Sequence, residues 1–181
     1  MFTYEIDKEV SLKIPQIKDA ERVFHLLDRS RDSLREWLNF VDYTQKAEDT
    51  KSFIEHSLKD FTANKSLTTF IVYQNKIVGT VGFNLIDWVN EIGHIGYWLD
   101  SKYEGKGIMT RSVKGLIKLG FDELHLNRIE IRAATENQKS RSIPERLGFQ
   151  QEGTIRQSEK IRDRYVDHVV YGMLKDDWAQ Q

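Results

Sequence analysis

The sequence predicts an α/β fold built on a mixed, mostly antiparallel central sheet flanked by helices, and three observations carry that prediction. Leu67–Tyr73, Ile77–Ile86 and Ile92–Leu99 are β-rich runs joined by short turns, the pattern of an antiparallel meander. The third run leads through a glycine turn into a helical rhythm from Gly107 to about Glu123, with apolar residues at Met109, Val113, Leu116, Ile117, Gly120 and Leu124. Arg128–Ala134 then returns as a strand, so strand, helix and strand call for a right-handed crossover and a parallel pair.

The remaining elements follow in order. Val10–Ile14 is a short strand stopped by Pro15, and Asp19–Leu27 a helix with Ala20, Val23, Phe24 and Leu27 on one stripe. Leu34, Trp37 and Leu38 suggest a short helix ending near Phe40, with Asp42–Lys46 a loop. Thr50–Phe61 repeats the helical spacing through Phe53, Ile54, Leu58 and Phe61. These helical segments ahead of the sheet are placed to form a lid or wall beside a site. Downstream, Ser142–Leu147 reads as a helix closed by Gly148. Two last strands, Phe149–Gln157 and Tyr165–Leu174, complete the pattern.

Composition narrows the function classes. At 181 residues the chain reads as one domain, residues 1–181, able to bury roughly 70% of its unfolded surface. A content of 39% hydrophobic and 30% charged residues is that of a soluble globular protein. The net charge of −1 offers no basic footprint for nucleic acid. The absence of cysteine removes disulfides, thiol nucleophiles and cysteine metal sites, and fits a reducing cytoplasm. No apolar run approaches a membrane span, and the early acidic residues of M-F-T-Y-E-I-D-K-E-V argue against a signal peptide. The histidines (His25, His56, His94, His125 and His168) form no pair at metal-ligand spacing, so no metal is expected.

Function is sought in Ser101–Phe121. A strand, a tight turn with Gly105 and Gly107, and a helix N-terminus present free backbone N–H groups and the positive end of a helix dipole, an arrangement suited to phosphate. From Gly105 to Phe121 the segment holds Lys106, Arg111, Lys114 and Lys118 and no acidic residue. A mononucleotide P-loop fails on spacing, because here the lysine lies between glycines two apart. The dinucleotide fingerprint fails at its third glycine, which is Thr110, and its strand would open a βαβ unit rather than close a meander. The plain alternative is a βα turn with no ligand.

The stretch Y-W-L-D-S-K-Y-E-G-K-G-I-M-T resembles motif A of the GNAT family of N-acetyltransferases, with Lys102, Gly105 and Gly107 at its three fixed places and Lys102 replacing the usual glutamine or arginine. Glu136–Phe149 (E-N-Q-K-S-R-S-I-P-E-R-L-G-F) resembles the motif B region, and Leu34–Asp42 resembles the N-terminal helical segment of the subgroup that acetylates ribosomal-protein serine or alanine N-termini. The resemblance implies a GNAT fold with an acyl-CoA cleft between the fourth and fifth strands, here Ile92–Leu99 and Arg128–Ala134, and acetyl-CoA as donor. It implies that Gly105, Lys106, Gly107, Ile108, Met109 and Thr110 hold the CoA pyrophosphate and that the backbone of Trp98 and Leu99 runs beside the pantetheine. Asn137 and Ser140 would meet the pantetheine and the sulfur. The acceptor implied is an amine, in the first place the N-terminal amine of a protein such as a ribosomal protein, with a small amine such as an antibiotic or polyamine as the alternative. A sensor that binds CoA without turnover and a homo-oligomer both stay open.

Acetyl transfer needs a neutral amine, a stabilised oxyanion and a proton for the departing thiolate. At pH 7 about a tenth of an α-amine is already neutral, against less than about a thousandth of a lysine amine, so a protein N-terminus asks little of a base. Glu159 lies in I-R-Q-S-E-K-I-R-D-R-Y, between the last two predicted strands, where the resemblance implies the general base. The plain reading is a solvated turn residue among Arg156, Lys160, Arg162, Asp163 and Arg164. Glu91, Asp87 and Glu130 are weaker candidates for the same role. Ser140 matches the residue that serves as acid in the subgroup. It is free for that role if Ser142 caps the following helix, as the capping-box spacing Ser142-Ile143-Pro144-Glu145 suggests. Members of the wider family use a tyrosine; Phe149 cannot serve, and Tyr165 is the substitute. Trp37 and Phe40 are placed to line the acceptor cleft, while Lys139 and Arg141 would reach the CoA 3′-phosphate or simply be solvated.

Overall fold

The computed structural model describes residues 3–181. Strands β1 (Thr3–Glu5) and β2 (Val10–Lys13) precede helices α1 (Ala20–Arg29), α2 (Arg31–Leu34), α3 (Phe40–Tyr43) and α4 (Ala47–Thr62). The meander β3 (Leu67–Tyr73), β4 (Lys76–Asp87) and β5 (Ile92–Leu99) follows, then α5 (Ile108–Asp122), β6 (Arg128–Ala134), α6 (Gln138–Arg146), β7 (Gln150–Ile161), β8 (Arg164–Leu174) and α7 (Lys175–Ala179). All eight strands form one sheet in the order β1-β2-β3-β4-β5-β6-β8-β7. Every neighbouring pair is antiparallel except β5–β6, which is parallel, as the crossover through α5 requires.

Two apolar layers hold the sheet. On one face α5 buries Ile108, Val113, Leu116, Ile117 and Phe121 against Val81, Phe83, Ile95, Ile129 and Ile131. Those helix positions recur every three or four residues, and that spacing turns the apolar stripe of α5 onto the strands. On the other face, Val23, Leu26 and Leu27 of α1 and Ile54 of α4 pack on Phe70, Ile77 and Trp98.

Several boundaries depart from the sequence expectation. β1 and α7 were not foreseen, because three and five residues are too few to establish a period. The helix expected from Leu34, Trp37 and Leu38 does not form: α2 ends at Leu34 and Trp37 and Leu38 lie in the turn that leads to α3, whose span makes Asp42 helical rather than part of a loop. β7 runs on to Ile161, which places Glu159 inside a strand and not in the turn between the last two. Ser142 is not a helix cap: α6 starts four residues earlier, capped by Asn137, whose Oδ1 accepts the Ser140 N–H at 3.2 Å. Ser142 instead donates its hydroxyl to the Lys139 carbonyl at 2.7 Å, and Pro144 lies within the helix.

One buried carboxylate ties the helical layer to the end of β5. Asp100 is fully inaccessible to solvent. Its Oδ1 accepts the Ser30 hydroxyl at 2.7 Å and the Lys102 N–H at 3.2 Å, and its Oδ2 accepts Arg29 Nε at 2.9 Å and a second Arg29 nitrogen. Burial alone would push its pKa up; the hydrogen bonds from Arg29, Ser30 and the Lys102 backbone outweigh that and hold it below the ordinary carboxylate value. The stability it contributes is therefore present above about pH 3.9 and lost as pH falls through the lower, folded value. Asp100→Asn should destabilise the protein by about 2–4 kcal/mol at pH 7 in urea unfolding. The gap between wild type and variant should narrow as pH falls below about 3.9 and through the lower, folded value.

Candidate active site

The site exists because β5 and β6 part. They pair only from Ile92↔Arg128 to Ile95↔Ile131. Beyond that point β5 stays with β4 as far as Leu99↔Gly79, and β6 stays with β8 as far as Ala134↔His168. Each strand keeps its outer partner, so the inner backbone edge of Gly96–Leu99 is left without a β6 partner. The opening is a cleft of about 2000 Å³. It lies at the carboxyl ends of the parallel strands, where α/β sheets bind ligands. Its floor includes Gly82 and Gly96, and the Asn84 amide lies so close over Gly96 that a Cβ there would collide with it.

At one end stands the glycine turn. Gly105 and Gly107 have φ of +74° and +70°, the left-handed region that L side chains avoid, and a Cβ on either would meet nothing within 4 Å. Gly107 is the N-cap of α5, so the first N–H groups of a 15-residue helix open toward the cleft beside it. Of the residues expected here, Trp98, Leu99, Gly105, Gly107, Ile108, Met109, Thr110, Asn137 and Ser140 line the cleft. Lys106 does not: its ammonium sits 5.4 Å from the centre of the Tyr103 ring. Other cations have protein partners. Arg111 pairs with Asp7 at 2.9 Å and Glu9 at 3.2 Å, and Lys118 with Asp122 at 2.6 Å. Lys139 meets Glu104 at 2.7 Å, while Arg141 donates to the Tyr171 hydroxyl and the Thr135 carbonyl, both at 2.8 Å. Arg146 donates to the Thr110 hydroxyl at 2.9 Å.

Midway along the cleft, Ser140 and Tyr97 meet. The Tyr97 hydroxyl donates to the Ser140 carbonyl at 2.8 Å, and the Ser140 hydroxyl lies 3.4 Å from the Tyr97 oxygen. Burial raises the Tyr97 pKa, opposed by the Ser140 contact, so the phenol keeps its proton. Tyr97 was not singled out from the sequence; its only signal was its place on the strand that opens the cleft. Tyr165, the expected tyrosine, is 59% exposed under the Lys160 ammonium and does not line this cleft.

At the far end β7 and β8 bring Glu159 to the cleft. Across Gln150–Lys160, Glu159 alone is half-buried. Its Oε2 lies 2.9 Å from His168 Nε2 on β8. The three other carboxylates considered for this role, Glu130, Asp87 and Glu91, do not line the cleft. Glu130 is buried outside the cleft, holding Arg128 at 2.8 Å and Arg132 at 2.5 Å. Asp87 accepts backbone N–H groups of Val89 and Asn90 in the β4–β5 turn, and Glu91 lies in that same turn. The wall facing Glu159 comes from α2, α3 and the turn between them, with Leu34, Trp37, Leu38 and Phe40. The β7–β8 hairpin is strapped to it. Asn39 donates to the Lys160 carbonyl at 2.7 Å, Arg164 donates to the Glu36 carbonyl at 2.9 Å, and the Arg164 guanidinium stacks 4.9 Å from the Trp37 ring centre.

Residues 10–150 match the family model of the acetyltransferase (GNAT) domain. The chain belongs to the GNAT acetyltransferase family. It is 33% identical over 179 residues, 98% of each chain, to YdaF of Bacillus subtilis (strain 168), provisionally named a ribosomal N-acetyltransferase. Among solved structures it is similar to the microcin C7 self-immunity acetyltransferase MccE in complex with acetyl-CoA and AMP, at 30% identity and a TM-score of 0.89, covering 93% of this chain and 94% of that one. The ribosomal L7/L12 alpha-N-protein acetyltransferase in complex with coenzyme A shares the fold, with a TM-score of 0.94 at 24% identity over 97% of this chain and 99% of that one. The open mixed sheet of this GNAT enzyme is thus the expected fold, with one more N-terminal strand than the sequence reading foresaw. Among the described residues no helix is long and apolar enough to cross a membrane. The left-handed turn gives a direct test. Gly107→Ala should cost about 1–2 kcal/mol of stability in urea unfolding with an unchanged m-value, because it strains one residue and disturbs no packing.

Proposed function

We propose that this GNAT enzyme binds acetyl-CoA at the glycine turn and transfers its acetyl group directly to an amine, most naturally the N-terminal α-amine of a protein such as a ribosomal protein. The observation that carries this reading is one cleft, opened by the parting of β5 and β6, with free helix N–H groups at one end and Glu159 at the other. The turn fits a pyrophosphate: its left-handed glycines leave open space, and the α5 N-terminus supplies N–H donors and a positive dipole end. The unpaired edge of Gly96–Leu99 fits the amides of a pantetheine arm. Because Arg111, Lys118 and Lys139 are already paired, recognition of the phosphates rests first on backbone N–H groups, with Arg146 at the Thr110 end.

In this reading the amine nitrogen attacks the thioester carbonyl carbon as Glu159 takes one of its protons. The C–N bond forms, the C–S bond breaks, and Ser140 gives its hydroxyl proton to the departing sulfur. The Tyr97 hydroxyl, which keeps its own proton, holds the Ser140 backbone in place. The open cleft lets Glu159 and Ser140 return to their starting states through solvent, so one proton moves net from nitrogen to sulfur. A second reading, a small-molecule amine as acceptor, is favoured by the likeness to MccE, whose structure is a complex with acetyl-CoA and AMP.

Calorimetry should give micromolar or tighter binding of acetyl-CoA, and no binding at that level overturns the proposal. Glu159→Gln should reduce turnover by about 10²-fold or more at neutral pH, the size expected for loss of a general base. Unchanged turnover would leave Glu159 without that role. Thiol release across a panel of free-N-terminal peptides and small amines should favour the peptides, and peptides acetylated in advance should give none.

A further inference from the structure

We infer that His168 is the positioning residue for Glu159: it donates its Nε2–H to Oε2, fixing the carboxylate so that Oε1 faces the acceptor amine. The inference rests on the proposed role of Glu159 as base and assigns a function to a histidine that shows no motif in the sequence.

The strand register supports it. On β7 and β8, Ile155 lies opposite His168, yet Glu159 lies opposite Val166. Four residues on β7 are matched by two on β8, so two extra residues sit in a bulge between them. Without that insertion Glu159 would face Arg164, four residues from His168 along the strand, roughly 13 Å away at strand rise. With it, His168 becomes the diagonal neighbour of Glu159 on the same face of the sheet, within side-chain reach.

The bulge is held in place. Gln157 takes a left-handed φ of +48°, and its N–H donates to Asp167 Oδ1 at 2.7 Å. Asp167 also gives its backbone carbonyl to the Thr135 N–H at 2.9 Å, which locks the same point to the segment after β6. Insertions of this kind gather beside active sites, where they re-aim a side chain.

Chemistry sets the direction of the hydrogen bond. An ionised carboxylate only accepts, so the 2.9 Å contact requires the proton on His168 Nε2. The His168 side chain is 16% exposed against 36% for Glu159, so the imidazole stands behind the carboxylate and leaves its other oxygen open. During transfer, the amine proton passes to Oε1 and the His168 proton stays where it is. Both side chains line the cleft, so the pair sits at the acceptor end rather than in the fold's interior.

The test compares three variants by steady-state kinetics on the same amine acceptor, with folding checked by thermal melting. His168→Leu should lower kcat about tenfold while leaving the KM for acetyl-CoA within twofold. His168→Gln, whose amide can donate from nearly the same position, should recover most of that loss. Glu159→Gln combined with His168→Leu should be no slower than Glu159→Gln alone, because the histidine acts only through the carboxylate. A His168→Leu enzyme with wild-type kcat, or a His168→Gln enzyme as slow as His168→Leu, overturns the assignment while a slow Glu159→Gln enzyme leaves the base standing. Wild-type turnover in Glu159→Gln overturns the base itself, and the inference with it.

Discussion

The architecture depends on two parallel strands that must separate while neither leaves the sheet. β5 and β6 share only four residue pairs, and each then follows its outer antiparallel neighbour. A bulge in β4 between Phe83 and Leu85 lies at the level where they separate, and Asn84 folds over Gly96 there. Bulges bend and twist the strand that carries them, which turns β5 away from β6 without breaking its ladder with β4. The consequence is a stretch of β5 backbone, Gly96–Leu99, that lines the cleft with no β6 partner. Its N–H and C=O groups still call for hydrogen-bonding partners, which solvent or a bound molecule can supply.

The two ends of the cleft are held by different means. At the glycine-turn end a fully buried carboxylate, Asp100, receives donors from α1, from Ser30 and from the first turn beyond β5. It ties the end of β5 to the helical layer that carries Trp37 and Phe40. At the Glu159 end the attachments are peripheral: Asn39 on the Lys160 carbonyl, Arg164 over Trp37, and Arg162 near Asp42 at 3.4 Å. Exposed pairs of this kind contribute little individually.

Much of this was legible beforehand. The meander, the crossover and the glycine turn follow from local signals: period-two runs at Leu67–Leu99, the three-and-four spacing through α5, and two glycines that the structure finds at positive φ. Ser142 shows where local signals stop. A serine near a helix start is a frequent cap, but whether it serves depends on competitors, and Asn137 caps α6 four residues earlier than expected. The paired cations show the same limit, since Arg111 finds Asp7 and Glu9 more than a hundred residues away in sequence.

Local residue patterns alone dictate the order of elements, the parallel crossover and the place of the left-handed glycine turn, because each follows from backbone preference and apolar period over a few adjacent residues. The tertiary structure decided the rest of the site. Glu159 meets His168 only because two extra residues in β7 shift the register, and Tyr97 meets Ser140 only because β5 leaves β6. Register and strand parting are set by contacts between distant segments, and no local pattern encodes them.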